Sequence, residues 1–98
     1  MNGSYPFKDW LTRLKDAKGQ QIILTRLDRL ALGNPGVCRN LGDGVWELKI
    51  DFGPGYRIYL GYHGEAVVIL LSGGDKGSQK KDIQTAKDYW SDYWRRLS

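Results

Sequence analysis

The sequence predicts an α+β fold in which helices pack on an antiparallel sheet of three to four strands, and three observations carry that reading. Between Val45 and Lys76, three strand-like runs follow one another with only short turns between them. Ahead of them Phe7, Trp10, Leu11 and Leu14, then Ile23, Leu27, Leu30 and Ala31, recur at helical spacing. Behind them Ile83, Ala86, Trp90, Trp94 and Leu97 do the same. A chain of 98 residues builds one domain, 1–98, whose modest core needs neither metal nor disulfide.

Met1 to Pro6 read as irregular, because Tyr5-Pro6 disfavours a helix before Phe7. The first apolar stripe carries Lys8, Asp9, Arg13 and Lys15 on its opposite side, which makes a short amphipathic helix. Asp16-Ala17-Lys18-Gly19 holds a break before the second helix, and Gly33-Asn34-Pro35-Gly36 is a strong stop signal after it. The simplest arrangement of the two is a helical hairpin. Val37 to Leu41 follow as a short strand, turning through Gly42-Asp43-Gly44 into Val45.

In the next run Trp46, Leu48 and Ile50 alternate with Glu47 and Lys49, and in the one after it Tyr56, Ile58 and Leu60 alternate with Arg57 and Tyr59. Asp51-Phe52-Gly53-Pro54-Gly55 carries too many breakers to continue a ladder, so the two runs fold back as a hairpin with a loop of about five residues. Placing Ile50 opposite Tyr56 sets Leu48 against Ile58 and Trp46 against Leu60 on the core side. It also sets Lys49 against Arg57 and Glu47 against Tyr59 on the other side. Two cations facing each other on a sheet cost about 0.2–1 kcal/mol. Either a bound anion or Glu47, neutralising its neighbours on a solvated face, would relieve that cost.

The third run, Ala66 to Leu71, has no polar position and is expected to be a central strand covered on both faces. His63-Gly64-Glu65 reads as the turn before it, with His63 solvated. From Gln79 the pattern is helical to the end, with Ser78 the expected N-cap and Arg95 and Arg96 in the last turn, where cations suit the helix dipole. Tyr89 and Tyr93 flank the apolar stripe of that helix.

A net charge of +4 and a pI near 9.3 make polyanions and acidic proteins plausible partners. One His and one Cys with no ligand spacing point away from a metal site and from a Cys38/His63 nucleophile pair. The glycines match neither a P-loop nor a dinucleotide fingerprint, so no cofactor is expected. The lone Cys38 fits a reducing compartment, no apolar run approaches the ~18 residues of a membrane span, and no signal peptide is visible, so a cytoplasmic protein without a membrane partner is expected.

What remains is a basic and aromatic constellation: Lys49, Arg57, Tyr59 and Lys76, with Lys80 and Lys81 close in sequence. Arg57 is suited to hold a phosphate bidentately, and Lys76, in the glycine loop after the third run, to follow it as a point charge. RNA carries its own nucleophile, the 2′-hydroxyl, so it can be cleaved without metal by alignment and by charge stabilisation at phosphorus. Proton transfer would fall to Lys, Arg, Tyr and Asp75 or Glu47, a set poorly matched to neutral pH, and weak activity on free RNA follows.

Several stretches taken together resemble the HigB-like addiction-module killer proteins of the RelE/ParE toxin superfamily. They are Phe7-Lys8-Asp9-Trp10-Leu11 with Leu14-Lys15-Asp16, Arg26-Leu27-Asp28-Arg29-Leu30 running into Gly33-Asn34-Pro35-Gly36, Gly44-Val45-Trp46-Glu47-Leu48-Lys49-Ile50, Gly53-Pro54-Gly55-Tyr56-Arg57-Ile58-Tyr59 and Gly73-Gly74-Asp75-Lys76. The resemblance covers about residues 7 to 88. It implies a RelE-like fold, with an N-terminal helical hairpin on the sheet and a C-terminal helix.

It also implies a toxin of a type II toxin–antitoxin system, acting as a ribosome-dependent mRNA endoribonuclease. Its partners would be a cognate antitoxin, often carrying a helix-turn-helix, mRNA on the ribosome, and operator DNA through the antitoxin. By motif position Arg57 becomes the phosphate stabiliser, Lys49 the basic residue of the preceding strand and Lys76 that of the loop after the last strand. Tyr59, or Tyr89 further along, could serve as the aromatic acid/base group only if the fold brings it close, and Lys80 and Lys81 add RNA-binding charge.

The pattern departs from the family in two places. Asp82 and Ile83 stand where a C-terminal tyrosine is common, and only Met1 to Pro6 precede the first helix where a strand is usual. The rival reading on the same fold is a ParE-like gyrase inhibitor without catalysis; a third is a regulatory module that binds only antitoxin and operator. The aromatic excess places antitoxin binding around Tyr89, Trp90, Tyr93 and Trp94.

Overall fold

The computed structural model describes residues 6–34, 36–64 and 67–97. Two helices, α1 (Pro6–Arg13) and α2 (Ala17–Ala31), precede four strands: β1 (Cys38–Gly42), β2 (Val45–Ile50), β3 (Tyr56–His63) and β4 (Val67–Gly74). A single 3-10 turn (Lys76–Ser78) leads into α3 (Gln79–Leu97). The fold is thus the expected α+β arrangement, consistent with a RelE-like fold. The irregular lead-in expected for Met1 to Pro6 lies, up to residue 5, outside the described residues.

Asp16 is where the first two helices part. Its side chain accepts a hydrogen bond from the Gly19 amide at 2.9 Å and so caps α2, leaving only Leu14 to Asp16 between the helices. The Gln20 amide group donates to the carbonyls of Leu11 and Leu14 at 2.8 and 2.9 Å, satisfying acceptors that the end of α1 leaves open.

The strands form one antiparallel sheet in the order β1-β2-β3-β4. Between β2 and β3 the register is the one the alternation dictates: Ile50 opposite Tyr56, Leu48 opposite Ile58, Trp46 opposite Leu60, Lys49 opposite Arg57 and Glu47 opposite Tyr59. A slip of one residue would turn Leu48, Ile50, Ile58 and Leu60 away from the shared apolar side. The loop between these strands is the expected five residues, 51–55.

The sheet is a middle layer. On one face Leu48, Ile50, Tyr56, Ile58 and Leu60 meet Phe7 from α1 and Ile23 and Leu30 from α2. On the other Val45, Tyr59 and Leu71 meet Ala86 and Trp90 from α3. Two sheet glycines admit the helices' large rings. A Cβ on Gly73 would come within 2.3 Å of the Trp10 ring, and one on Gly61 within 2.6 Å of the Trp90 ring.

Three expectations are corrected. Among the described residues the apolar run of the last strand is not central: β4 pairs with β3 alone, at the end of the sheet order. Both α1 and α3 contact this strand, with the Trp10 ring against Gly73 and Leu71 in the cluster of Ala86 and Trp90. A bulge between Tyr59 and Leu60 leaves Leu71 without a register partner and turns it toward α3.

Ser78 directly precedes α3 as expected, but its hydroxyl donates to Asp82. The cap is Asp75, on the 3-10 turn ahead of the helix, its carboxylate accepting from the amides of Gly77 and Ser78 at 2.8 and 3.2 Å. His63 is not a solvated turn residue either; it ends β3, shares a hydrogen bond with the Tyr93 hydroxyl and lies against the Trp94 ring.

Candidate functional site

Because side chains alternate along strands, residues paired across the sheet stack into a row on one face. The row that matters runs Arg39 on β1, Glu47 on β2, Tyr59 on β3 and Ser72 on β4, all on the α3 side. The neighbouring pair, Lys49 opposite Arg57, lies beside it. Near β4 the start of α3 covers this face; toward β1 it opens as a cleft of about 220 Å³ lined by Val37, Arg39, Glu47, Lys49, Arg57 and Gln79.

Glu47 is the hub of the cleft. Only 4% exposed, it takes Arg39 Nη2 on Oε1 at 3.2 Å and faces Arg57 Nε across 3.7 Å from Oε2, while Gln79 Nε2 donates to Oε2 at 2.9 Å. Arg57, 8% exposed, is steered by the hairpin loop, its Nη1 donating to the Gly55 carbonyl at 3.0 Å. Its Nε completes no hydrogen bond. The cleft beside it holds three cations and one carboxylate, an excess of positive charge suited to an anion.

The expected like-charge pair of Lys49 and Arg57 is therefore relieved by Glu47, but the face around it is not solvated. Glu47, Arg57 and Tyr59 are buried and only Lys49 of the four remains exposed. Tyr59 is fully buried, with its hydroxyl unpartnered beneath the start of α3. Burial first, and then the charges of Glu47 and Asp82, push its phenol up above the usual tyrosine range. The hydroxyl consequently keeps its proton at neutral pH and stands under the cleft rather than in it.

Lys76 sits at the rim. A Cβ on Gly55 would lie 3.4 Å from Arg57 Nη1 and 3.6 Å from Lys76 Cβ, so both cations flank one glycine, and the flexible Lys76 side chain is exposed. Lys80 and Lys81 are not part of this cleft. They line a separate shallow groove on α3 with Gly77, Ser78, Gln84 and Thr85.

Of the four C-terminal aromatics Trp90 is buried, Tyr89 and Tyr93 are half-buried, and Trp94 is 42% exposed, packed edge-on against Trp90. Trp90 and Tyr93 stack with ring planes 3° apart. Among the described residues no three His, Cys, Asp or Glu side chains are grouped to hold a metal ion, and no helix is long and apolar enough to cross a membrane.

Two cleft residues escaped the sequence reading. Arg39 was within reach, since extending the strand register back through Gly42-Asp43-Gly44 puts it opposite Glu47. Gln79 was not, because nothing in a helix's first residue announces a carboxylate 32 positions earlier.

Compared with known proteins, residues 9–91 match the model of a family described as Phage derived protein Gp49-like (DUF891). A Haemophilus influenzae relative, described only as an uncharacterized protein, is 47% identical over 81 residues, spanning 83% of this chain and 82% of the relative. No solved structure matches the chain.

Proposed function

The chain belongs to the Phage derived protein Gp49-like family, a family of toxin–antitoxin toxins that is RelE/HigB-like in the broad sense, and from that premise we propose that it cleaves mRNA on the ribosome without a metal. The observation that carries the reading is the cleft itself, where Arg39, Lys49 and Arg57 outnumber the single carboxylate of Glu47. In the proposed reaction Arg57 and Lys49 bind the scissile phosphate, and Lys76 reaches in from the rim. The 2′-hydroxyl attacks phosphorus, the bond to the 5′-oxygen breaks, and the positive charge stabilises the oxygens as they become more negative.

Glu47 holds Arg57 in place and moderates the field, so the free cleft is stable without RNA. Tyr59 lies beneath Glu47 as a protonated phenol. A cognate antitoxin is the regulatory partner, and the half-exposed Trp94 with Tyr89 and Tyr93 is the surface proposed for it.

The test is primer extension on mRNA in a cell-free translation reaction, comparing wild type with Arg57→Ala. New 5′ ends that require ribosomes and fall at least about a hundredfold in the variant are expected, the size of effect seen when one charge-stabilising donor is removed. Absence of cleavage by folded wild-type protein would overturn the reading, and a supercoiling assay would then examine gyrase as the target.

A further inference from the structure

The two ends of the sheet differ in their company. β4 is in contact with both α1 and α3, whereas β1, among the described residues, pairs with β2 and touches little else. Its surroundings are open: Val37, just ahead of the strand, is 67% exposed, the Arg39 side chain is 61% exposed, and Asn40 is exposed as well. This open edge borders the cleft, because Val37 and Arg39 belong to the cleft wall.

The β1-β2 ladder fixes which backbone groups the edge presents. The Lys49 amide donates to the Val37 carbonyl at 3.1 Å, and two residues on Arg39 lies opposite Glu47. Backbone groups alternate in direction along an antiparallel strand, so Val37 and Arg39 turn theirs toward β2 while Cys38 and Asn40 turn theirs outward. A register shift after Asn40 ends the stretch that another strand could follow. Side chains sort by the same alternation, which puts Val37 and Arg39 together on the side of the cleft.

A charged side chain on an open edge discourages indiscriminate strand pairing. Glu47 leaves that charge in force, because its one carboxylate is shared among Arg39, Arg57 and Gln79. A second copy of the chain is a poor occupant, since it brings another Arg39 and another net charge of +4. The complementary occupant is a strand with a carboxylate opposite Arg39 and an apolar side chain opposite Val37, whose exposed surface it would bury.

We propose that the β1 edge is the docking site for an acidic, extended segment of a partner protein, which joins the sheet as an antiparallel strand. Its backbone pairs with Cys38 and Asn40, its carboxylate meets the Arg39 guanidinium, and its apolar residue two positions later covers Val37. Seated there, the segment lies along the mouth of the cleft and sets negative charge where an anion would enter. Docking at this edge does not depend on the nuclease reading.

The probe is the blocked hexapeptide Thr-Thr-Glu-Thr-Val-Thr, titrated into the isotope-labelled full chain and followed by NMR. Saturable amide shifts centred on residues 37–40 are expected, with slowed amide exchange at Cys38 and Asn40. Affinity should be about fivefold higher than for the same peptide with lysine in place of glutamate, the size of one cross-strand charge pair. Arg39→Glu should reverse that preference. Methylating the backbone nitrogen of either threonine beside the glutamate removes a pairing N–H and should abolish binding, whereas methylating the nitrogen of the glutamate, which points away from β1, should leave affinity unchanged.

Equal binding of the glutamate and lysine peptides, indifference to the position of the methyl group, or no saturable shift at millimolar peptide would each overturn the proposal. A wild-type dimer in sedimentation that the peptide dissociates would also overturn it, by assigning the edge to a second copy. Because the readout needs no RNA, each result is independent of whether the protein cleaves message.

Discussion

The two faces of the sheet are built from the same strands and differ in what they bury. The α1/α2 face is dry, with Leu48, Ile50, Ile58 and Leu60 fully or almost fully inaccessible and aromatic rings closing its margin. The α3 face mixes Val45, Leu71, Ala86 and Trp90 with a buried carboxylate, a buried guanidinium and two unpartnered hydroxyls, those of Tyr59 and Ser72. Burying an aliphatic side chain contributes about 1.5–3 kcal/mol, whereas a buried polar group without a partner costs about 1–3 kcal/mol. One face therefore stabilises the fold and the other holds charge in a fixed geometry.

The largest effect expected from breaking that contrast is on the charged face. Glu47→Ala should cost about 3–5 kcal/mol, because it strands Arg57 as a buried charge facing no carboxylate. Urea unfolding reads that loss directly. Replacing both partners with apolar residues of similar volume, Glu47→Leu with Arg57→Met, should restore most of the stability while leaving the cleft unable to bind phosphate. If the double variant were as unstable as the single one, the pair would be a net source of stability and the contrast between the faces would fail.

On the dry face Leu48→Ala should cost about 2–5 kcal/mol through lost burial and the cavity it leaves. The same variant should bind RNA with wild-type affinity below its melting temperature. A change in RNA affinity larger than about threefold would mean that the faces are mechanically coupled through β2.

The smallest effect expected is at the helix junction. The Gly19 amide, and after it the Tyr56 hydroxyl at 2.7 Å, hold the Asp16 carboxyl below its usual value of 3.8. The same contact, together with burial as the larger cause, pushes the Tyr56 phenol up to about 12. Since the folded carboxyl is the more acidic, its stabilisation is complete above the ordinary carboxylate value and is lost as pH falls through the lower folded one. Asp16→Asn should therefore flatten the fall of the melting temperature in that acid window and change little near neutrality. An unchanged acid slope would place the pH dependence in another carboxylate.

Most of the framework was legible in the sequence for local reasons. Strand alternation, the five-residue loop and the helical stripes depend on residues near each other in the chain, so register followed from which side chains must avoid water. The pairing of Lys49 with Arg57 and of Glu47 with Tyr59 was legible for the same reason. What alternation leaves open is which layer covers the second face, because a polar row reads the same whether water or a helix lies over it.

Tertiary structure decided the rest. Only the docking of α3 buries Tyr59 and brings Gln79 to Glu47. Likewise the hydrogen bond from Arg26 to the Lys49 carbonyl joins residues 23 positions apart. The sequence by itself determined the elements, their pairing and the basic residues available. The environment of each charge was determined by packing, since burial and partner distance are properties of the assembled layers and not of any single segment.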